Sequence, residues 1–588
     1  MCEQKIVASK EKKTLYNHMK RKLKTRHYIP PLLQPNNEFT LDCHAKANLM
    51  NDTFAKVFLK NDSSANFPKL HTNTTHTNSS IFNTISQQEI FESIKETKSS
   101  VSQTPDCVPS LYVKNTFLQL LEPLQLLFNH SIKTSEIPSI WKTAIVIPIF
   151  KKGRTSDPGN YRPISLTSVI CRILERIIHK HTLTHMIRNN LLSPGQHGFI
   201  TGRSTQTQQL HFLNTLTEHH EKNQQTEVVY LDYSKAFDTV SHKKLLHILK
   251  HLKVNSSIIK WITNYLSNRT QKTLVDNTLS NSIEITSGVP QGSVLGPLLF
   301  VAYIDDLIKL ITSTCHHTTV YAFADDIKLV STDADNMQMA LNVVSSWIKN
   351  WQLNLNAAKS EHLTLRQKNT VDLFINNQPI MNVCTVKDLG VLIASNFSWT
   401  GYINQIRAKA NALSHNILRI FSTTNCWLLV NLFQTYVRPL LEYNTSSWSP
   451  HLQANIRAVE SVQRTFTRRL CQRCNIPFTS YLDRLTKLNL ESLEVRRCKQ
   501  DLILLFKILH KLVDVDFDSF FQINNFSGYG LRRHQFHINR QKVAKTAARN
   551  NFFTYRVIKY WNMLPDNIVT SPTLQSFKFR LKRWDLKV

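Results

Sequence analysis

An α+β architecture, short strands buried among longer helices, follows from three features of this 588-residue chain. The first is Val228-Val229-Tyr230-Leu231, four apolar residues ending in Asp232, the pattern of a strand covered on both faces. The second is a pair of apolar runs, residues 320–324 and 327–330, either side of Asp325-Asp326. They read as strand, turn and strand with two carboxylates at the tip. The third is helical spacing: Ile90, Phe91 and Ile94 share one face, and residues 294–302 read as a buried helix. Ser234 is placed to cap a further helix through Lys235-Ala236-Phe237-Asp238.

Composition bounds what these elements build. Hydrophobic residues make up 41% of the chain, enough for a sizeable core, which excludes wholesale disorder. The longest nearly unbroken apolar run, residues 294–304, holds 11 residues and includes Gly296 and Pro297. A membrane span needs about 20, so no membrane role is expected. The N-terminus lacks the apolar stretch of a signal peptide. Ten scattered cysteines suit reduced thiols, and the Asn-x-Ser/Thr sites near Asn73 read as loop composition.

Charge points to a partner. Seventy-two Lys and Arg against 41 Asp and Glu leave a formal charge of +31. A fold does not need that excess, and it costs self-repulsion; nucleic acid is the leading polyanionic partner, because basic grooves release counterions from phosphates. Residues 1–30 hold nine Lys/Arg and two acids. Their run Lys20-Arg21-Lys22 reads equally as a localisation signal or a solvated helix face. Residues 61–87 are rich in Asn, Thr and Ser and read as a flexible linker. Residues 531–588 hold thirteen Lys/Arg and two acids among interleaved aromatics. Those aromatics either stack on the bases of a single strand or form a small helical core.

The carboxylates carry the chemistry. Asp-Asp in a turn is ordinarily a turn former. Between buried strands, two like charges are costly unless a cation neutralises them. If the strand of Asp232 lies beside the hairpin, Asp232, Asp325 and Asp326 converge on a hard-oxygen site suited to Mg²⁺. Two such ions activate a primer hydroxyl and stabilise leaving pyrophosphate. Tyr303-Ile304-Asp305-Asp306 is a decoy: its acids are expected at the end of the buried helix, with no second flanking strand.

Nine segments in order then resemble one family. They are Ile147-Pro148-Ile149-Phe150-Lys151-Lys152-Gly153, Asn160-Tyr161-Arg162-Pro163-Ile164-Ser165-Leu166, Gln196-His197-Gly198-Phe199, Gly202-Arg203-Ser204-Thr205, Tyr230 to Asp238, Ser287-Gly288-Val289-Pro290-Gln291-Gly292-Ser293, Phe323-Ala324-Asp325-Asp326, Asn356-Ala357-Ala358-Lys359 and Leu389-Gly390-Val391. The chain resembles the reverse transcriptases of non-LTR (LINE-type) retrotransposons of the jockey and chicken-repeat-like group. A weaker likeness continues through Val437-Arg438-Pro439-Leu440-Leu441-Glu442-Tyr443.

The resemblance implies a right-hand polymerase of fingers, palm with an antiparallel sheet, and thumb. Its domains would be 1–104, a basic N-terminal region and linker; 105–395, fingers and palm; 396–500, a thumb-like helical region; and 501–588, a basic aromatic C-terminal region. It implies that Asp232, Asp325 and Asp326 hold two Mg²⁺ ions, or Mn²⁺. Phe237 resembles the steric gate against ribonucleotides. Pro290, Gln291 and Gly292 lie in the segment along the incoming nucleotide, and Arg162 clamps its triphosphate with help from Lys151 or Lys152. Lys359 protonates pyrophosphate, and Leu389, Gly390 and Val391 form the primer grip. Implied partners are an RNA template, a DNA primer and dNTPs, with residence in nucleus and cytoplasm.

The chain departs from its relatives at Ile200 and Thr201, where many carry Arg and Lys. Only about 105 residues precede the likeness, too few for the endonuclease such elements carry, so an endonuclease from another chain is expected to supply nicking. Cys471 and Cys474 lack a second ligand pair and read as free thiols. The expected activity is RNA-directed DNA polymerisation in target-primed reverse transcription; the alternative is an inactive RNA-binding remnant.

Overall fold

The computed structural model describes residues 28–59, 67–72, 74, 82, 84–102, 104–369, 371–523, 534–539 and 541–586. The Lys20-Arg21-Lys22 run lies outside them. After a short antiparallel pairing of Leu32–Leu33 with Phe39–Thr40 comes helix α1 (Cys43–Ala55), capped by the Asp42 carboxylate on the Ala45 N–H. Helix α2 (Gln87–Glu96) starts in a reciprocal capping box between Ser86 and Glu89 and packs on α3 (Phe117–Thr134). Strands β1 (Thr143–Phe150) and β2 (Tyr161–Leu166) pair antiparallel, and α4 (Val169–Arg188) and α5 (Thr205–Glu221) follow.

Next come β3 (Thr226–Leu231), α6 (His242–His251), α7 (Ser256–Leu266) and β4 (Arg269–Val275), which pairs parallel with β1. The helix expected from Ser234 is only a 3₁₀ turn, Ala236–Asp238, because Lys235 is left-handed (φ 52°). The true helix, α6, begins six residues later under a Ser241 cap. Helix α8 (Gly296–Thr314), β5 (Thr318–Phe323), β6 (Asp326–Ser331), α9 (Ala334–Trp351) and β7 (Glu361–Leu365) complete the middle of the chain.

The central sheet has the order β8-β7-β3-β6-β5, with β8 the short strand Met381–Asn382. Strand β3 has antiparallel neighbours on both sides, with Leu231 opposite Ile327 and Tyr230 opposite Glu361. Alternation divides its side chains between two cores. Val229 and Leu231 join Leu298, Trp347 and Trp351 from α8 and α9. Val228 faces the opposite way, with Phe212, Leu213, Val330 and Leu363. A strand apolar at consecutive positions is what two covered faces require.

Hairpin strands β9 (Thr385–Asp388) and β10 (Val391–Ala394) precede α10 (Thr400–Ile420), which packs on α11 (Gln453–Arg473) around a third core. The last helices, α12 (Leu493–Leu509), α13 (Phe553–Asn562) and α14 (Leu574–Arg583), close the second core. The 500/501 division expected from sequence falls inside α12. The C-terminal aromatics are core: Phe553, Trp561 and Phe577 are buried, with Phe577 stacked on Phe506 at 4.2 Å. Phe579 alone of the large ones there stays mostly in water, 62% exposed. Of the residues read as a linker, Leu70, Phe82 and Ile85 pack on the first core. No helix among the described residues is long and apolar enough to cross a membrane.

Candidate active site

Register brings the acids together. Strands β3 and β6 pair up to Leu231 and Ile327, so the next residues out, Asp232 and Asp326, flank the end of one ladder. Asp325 sits beside them in the two-residue turn from β5 to β6, where Phe323 pairs with Asp326. The turn places Ala324 in the left-handed region (φ 57°), a conformation that a β-carbon disfavours. Buried Gln196 holds it there: its side-chain carbonyl accepts from the N–H groups of Ala324 (2.9 Å) and Gly198 (2.8 Å). A Cβ on Gly198 would lie 2.4 Å from the Ala324 nitrogen, so only glycine lets this brace close. Sequence reasoning noticed Gln196 only within a family motif; its role is structural support of the acidic tip.

The acids are electrostatically stressed. The Asp326 carboxyl is pushed up to about 6, first by loss of water around it, then by Asp325, Asp388 and Asp232. Its side chain still opens onto a cleft of about 140 Å³, shared with Asp232, Lys359 and Leu389. Asp325 is raised mainly by burial, against the opposing fields of Arg162 and Lys151. Among the described residues no cation forms a salt bridge with Asp232, Asp325 or Asp326. Nor are three His, Cys, Asp or Glu side chains drawn close enough to enclose a metal ion. Like charges this near one another repel, and an oxygen-only donor set on rigid strands is of the type that hard divalent cations take.

Lys359 is exposed on the 3₁₀ turn Ala357–Lys359 at the rim of that cleft. The turn is tied to the end of β3: the Asn356 N–H donates to the Asp232 carbonyl (2.8 Å), and the Asp232 N–H to Ser360 Oγ (3.2 Å). Arg162 is exposed on β2, opposite Ile149.

The segment Ser287 to Ser293 is fastened at both ends. The Ser165 N–H on β2 donates to the Gln291 carbonyl at 2.7 Å, and a Cβ on Gly292 (φ 120°) would meet the Ser165 carbonyl at 2.4 Å. The Val289 N–H donates to the Phe237 carbonyl at 2.8 Å. Pro290 is buried. The Gln291 amide, expected to face a nucleotide, donates to the Asp238 carboxylate at 2.8 Å. Burial pushes Asp238 up to about 6. Phe237 is half-buried and stacked on Phe300 of α8 at 4.3 Å, so its ring is anchored. Asp238 was not singled out from sequence; the available signal was its place in the run Lys235-Ala236-Phe237-Asp238.

Leu389 and Gly390 form the two-residue turn of β9–β10, with φ of 44° and 91°. Two consecutive positive φ values make the primed turn that suits strand twist. Val391 points into the third core. The decoy acids differ from expectation: α8 does not end at them. Asp305 and Asp306 are buried within it, where Asp305 accepts from the Ser193 N–H (2.9 Å) and pairs with Lys309, and Asp306 accepts from the His71 N–H (2.7 Å) and Trp347. These bonds tie neighbouring segments to α8. Ile200 is a core residue, and Cys471 and Cys474 are free thiols.

An acid-tipped antiparallel sheet, backed by helices and accompanied by the β1–β2 pair bearing Arg162 and by the β9–β10 hairpin, has the right-hand arrangement of fingers, palm and thumb. Residues 149–403 match the family described as reverse transcriptase (RNA-dependent DNA polymerase), and the chain is similar to RNA-directed DNA polymerases of mobile elements. It is 24% identical over 392 residues to the probable RNA-directed DNA polymerase from transposon X-element of Drosophila melanogaster, covering 65% of this chain and 43% of that protein. The RNA-directed DNA polymerase from mobile element jockey of the same species is 26% identical over 374 residues, covering 60% and 40%. A Pol polyprotein from the type-1 retrotransposable element R2 of Popillia japonica is 26% identical over 400 residues, covering 66% and 54%. The chain thus spans about two fifths of the length of the first two relatives.

Proposed function

We propose that this chain copies retrotransposon RNA into cDNA, adding deoxynucleotides to a DNA primer in target-primed reverse transcription. The observation that carries the reading is the β3–β6 register, which sets Asp232 and Asp326 at one ladder end with Asp325 in the adjoining turn. These carboxylates would hold two Mg²⁺ ions, which when bound lower the pKa of the primer hydroxyl and offset charge on the leaving pyrophosphate.

The protein's own groups do the rest. Arg162 presents a guanidinium fork to the triphosphate from β2. The Ser287 to Ser293 segment, held open by Gly288 and Gly292, lets backbone approach the nucleotide, and its Gln291–Asp238 bond fixes the wall beside Phe237. Phe237, braced by Phe300, closes the space that a ribose 2′-hydroxyl would need. Lys359 holds a proton at Nζ on the rim of the cleft for the departing pyrophosphate. The Leu389-Gly390 turn borders the same cleft and receives the primer end. An endonuclease supplies the nick that exposes the target primer, and the work is done in the nucleus after synthesis in the cytoplasm.

The test is primer extension on an RNA template with dNTPs and Mg²⁺, beside an Asp325→Ala/Asp326→Ala variant. Extension by the parent alone is expected. A folded parent that binds RNA and extends nothing would replace this reading with that of an inactive RNA-binding remnant.

A further inference from the structure

A polar chain that the chemistry above does not use, buried except at its Tyr443 end, runs from the acidic strand to the thumb. Lys328 lies two residues beyond Asp326 on β6, on the same face. Its ammonium pairs with the Asp388 carboxylate, both side chains nearly inaccessible at 2% and 4% exposure. The ammonium also sits 4.0 Å from the centre of the Phe212 ring. Asp388 is the last residue of β9, immediately before the Leu389-Gly390 turn. From α5, the Gln209 amide donates to the Asp388 carbonyl (2.7 Å) and carboxylate (3.3 Å). The Gln209 carbonyl in turn accepts from the Asn444 amide and from Ser447 Oγ (3.2 Å), on the thumb side. Next to Asn444, the Tyr443 hydroxyl donates to the Leu389 carbonyl at 2.8 Å. A Cβ on Gly390 would lie 3.2 Å from that tyrosine ring, so the turn fits against it closely.

Stability alone does not call for this arrangement. Replacing a buried ion pair with apolar groups of similar size is often neutral or better. What the charges and amides impose, and apolar contacts do not, is one register between three otherwise separate parts: the acidic strand, the hairpin and the thumb.

We propose that Lys328, Asp388, Gln209 and Tyr443 form a clamp that fixes the Leu389-Gly390 turn relative to Asp232 and Asp326, making them positioning residues for the primer terminus. This rests on the polymerase reading above. A turn out of register meets the primer end with fewer contacts, and the loss of one good contact is worth about tenfold in affinity for primer–template.

The test uses the full chain, a labelled DNA primer annealed to an RNA template, and two readouts, equilibrium binding by anisotropy and steady-state extension. The variants are Lys328→Met/Asp388→Leu, which exchanges the pair for apolar groups, and Tyr443→Phe, which removes only the hydroxyl. Both are expected to melt close to the parent. Both are expected to raise KM for primer–template, the double variant on the order of tenfold or more and Tyr443→Phe a few-fold, with KM for dNTP unchanged. A merely structural role would instead lower the active fraction, reducing kcat with both KM values intact, and that result overturns the clamp. Variants that bind and extend as the parent does also overturn it. A parent that binds the primer–template without extending it fails the polymerase reading, while anisotropy still reads the clamp directly. A parent that does neither overturns both.

Discussion

Asp326 carries the clearest consequence of local electrostatics. Its carboxyl ionises near 3.8 in the unfolded chain and at about 6 in the fold, so folding favours its protonated form. At pH 7 without a divalent cation, the ionised group is held in the fold at a cost; that cost shrinks as pH falls through 6 and is gone only below about 3.8. Asp326→Asn is therefore expected to melt above the parent at pH 7, with the gap narrowing below pH 6 and closing by about pH 4, and Mg²⁺ is expected to raise the melting temperature of the parent more than that of the variant. A gap independent of pH between 5 and 7 would refute this. Asp325→Asn is expected to lower kcat for extension by at least 10²–10³-fold, the scale lost when a main stabiliser of developing charge is removed. Gly292→Ala forces a Cβ onto the Ser165 carbonyl at a φ that side chains avoid, and about 1–3 kcal/mol of destabilisation is expected in a denaturant melt. An unchanged midpoint would show that β2 can give way there.

The β5–β6 hairpin depends on a neighbour that is remote in sequence. Gln196→Ala leaves the N–H groups of Ala324 and Gly198 unpaired beside a buried turn, at about 1–3 kcal/mol for each. Lower stability together with lost extension is expected, whereas a variant that melts and extends as the parent does would show that the turn holds itself. This brace also marks where sequence stops being informative. The strands and their acids were legible because apolar runs ending in Asp232, or enclosing Asp325-Asp326, have few other uses. Gln196 was not, because the bond that braces the turn joins it to Ala324, 128 positions away, and leaves no local pattern. The same holds for Gln291, whose partner Asp238 lies 53 positions away. The misread helix at Ser234 failed for a different reason: a left-handed Lys235 is a tertiary decision that helix propensity does not encode. Asp305 and Asp306 looked like a helix end because two acids in a core are expensive, yet backbone N–H groups and Lys309 make them affordable inside α8.

Across the whole molecule, the palm sheet is shared property. Its front face is covered by α8 and α9, but its back face is completed by α5 and by α12, α13 and α14 from the far end of the chain. Removal of residues 493–588 is expected to leave Val228, Val330 and Leu363 covered by α5 but not by the C-terminal helices and to yield an aggregating product rather than a smaller folded unit. Recovery of a soluble, cooperatively melting 1–492 fragment would contradict that. The charge of the C-terminal region now has a simpler reading: its aromatics serve the core, and most of its described cations lie outside, whereas Arg549 is buried against Glu218 of α5. The distance in sequence between the palm and the helices that back it also sets a timetable. While a ribosome is still making the chain, the sheet bearing Asp232 and Asp325 lacks part of one wall until α12, α13 and α14 have emerged. A ribosome halted before those helices therefore holds a half-walled sheet, a client for chaperones rather than a finished fold.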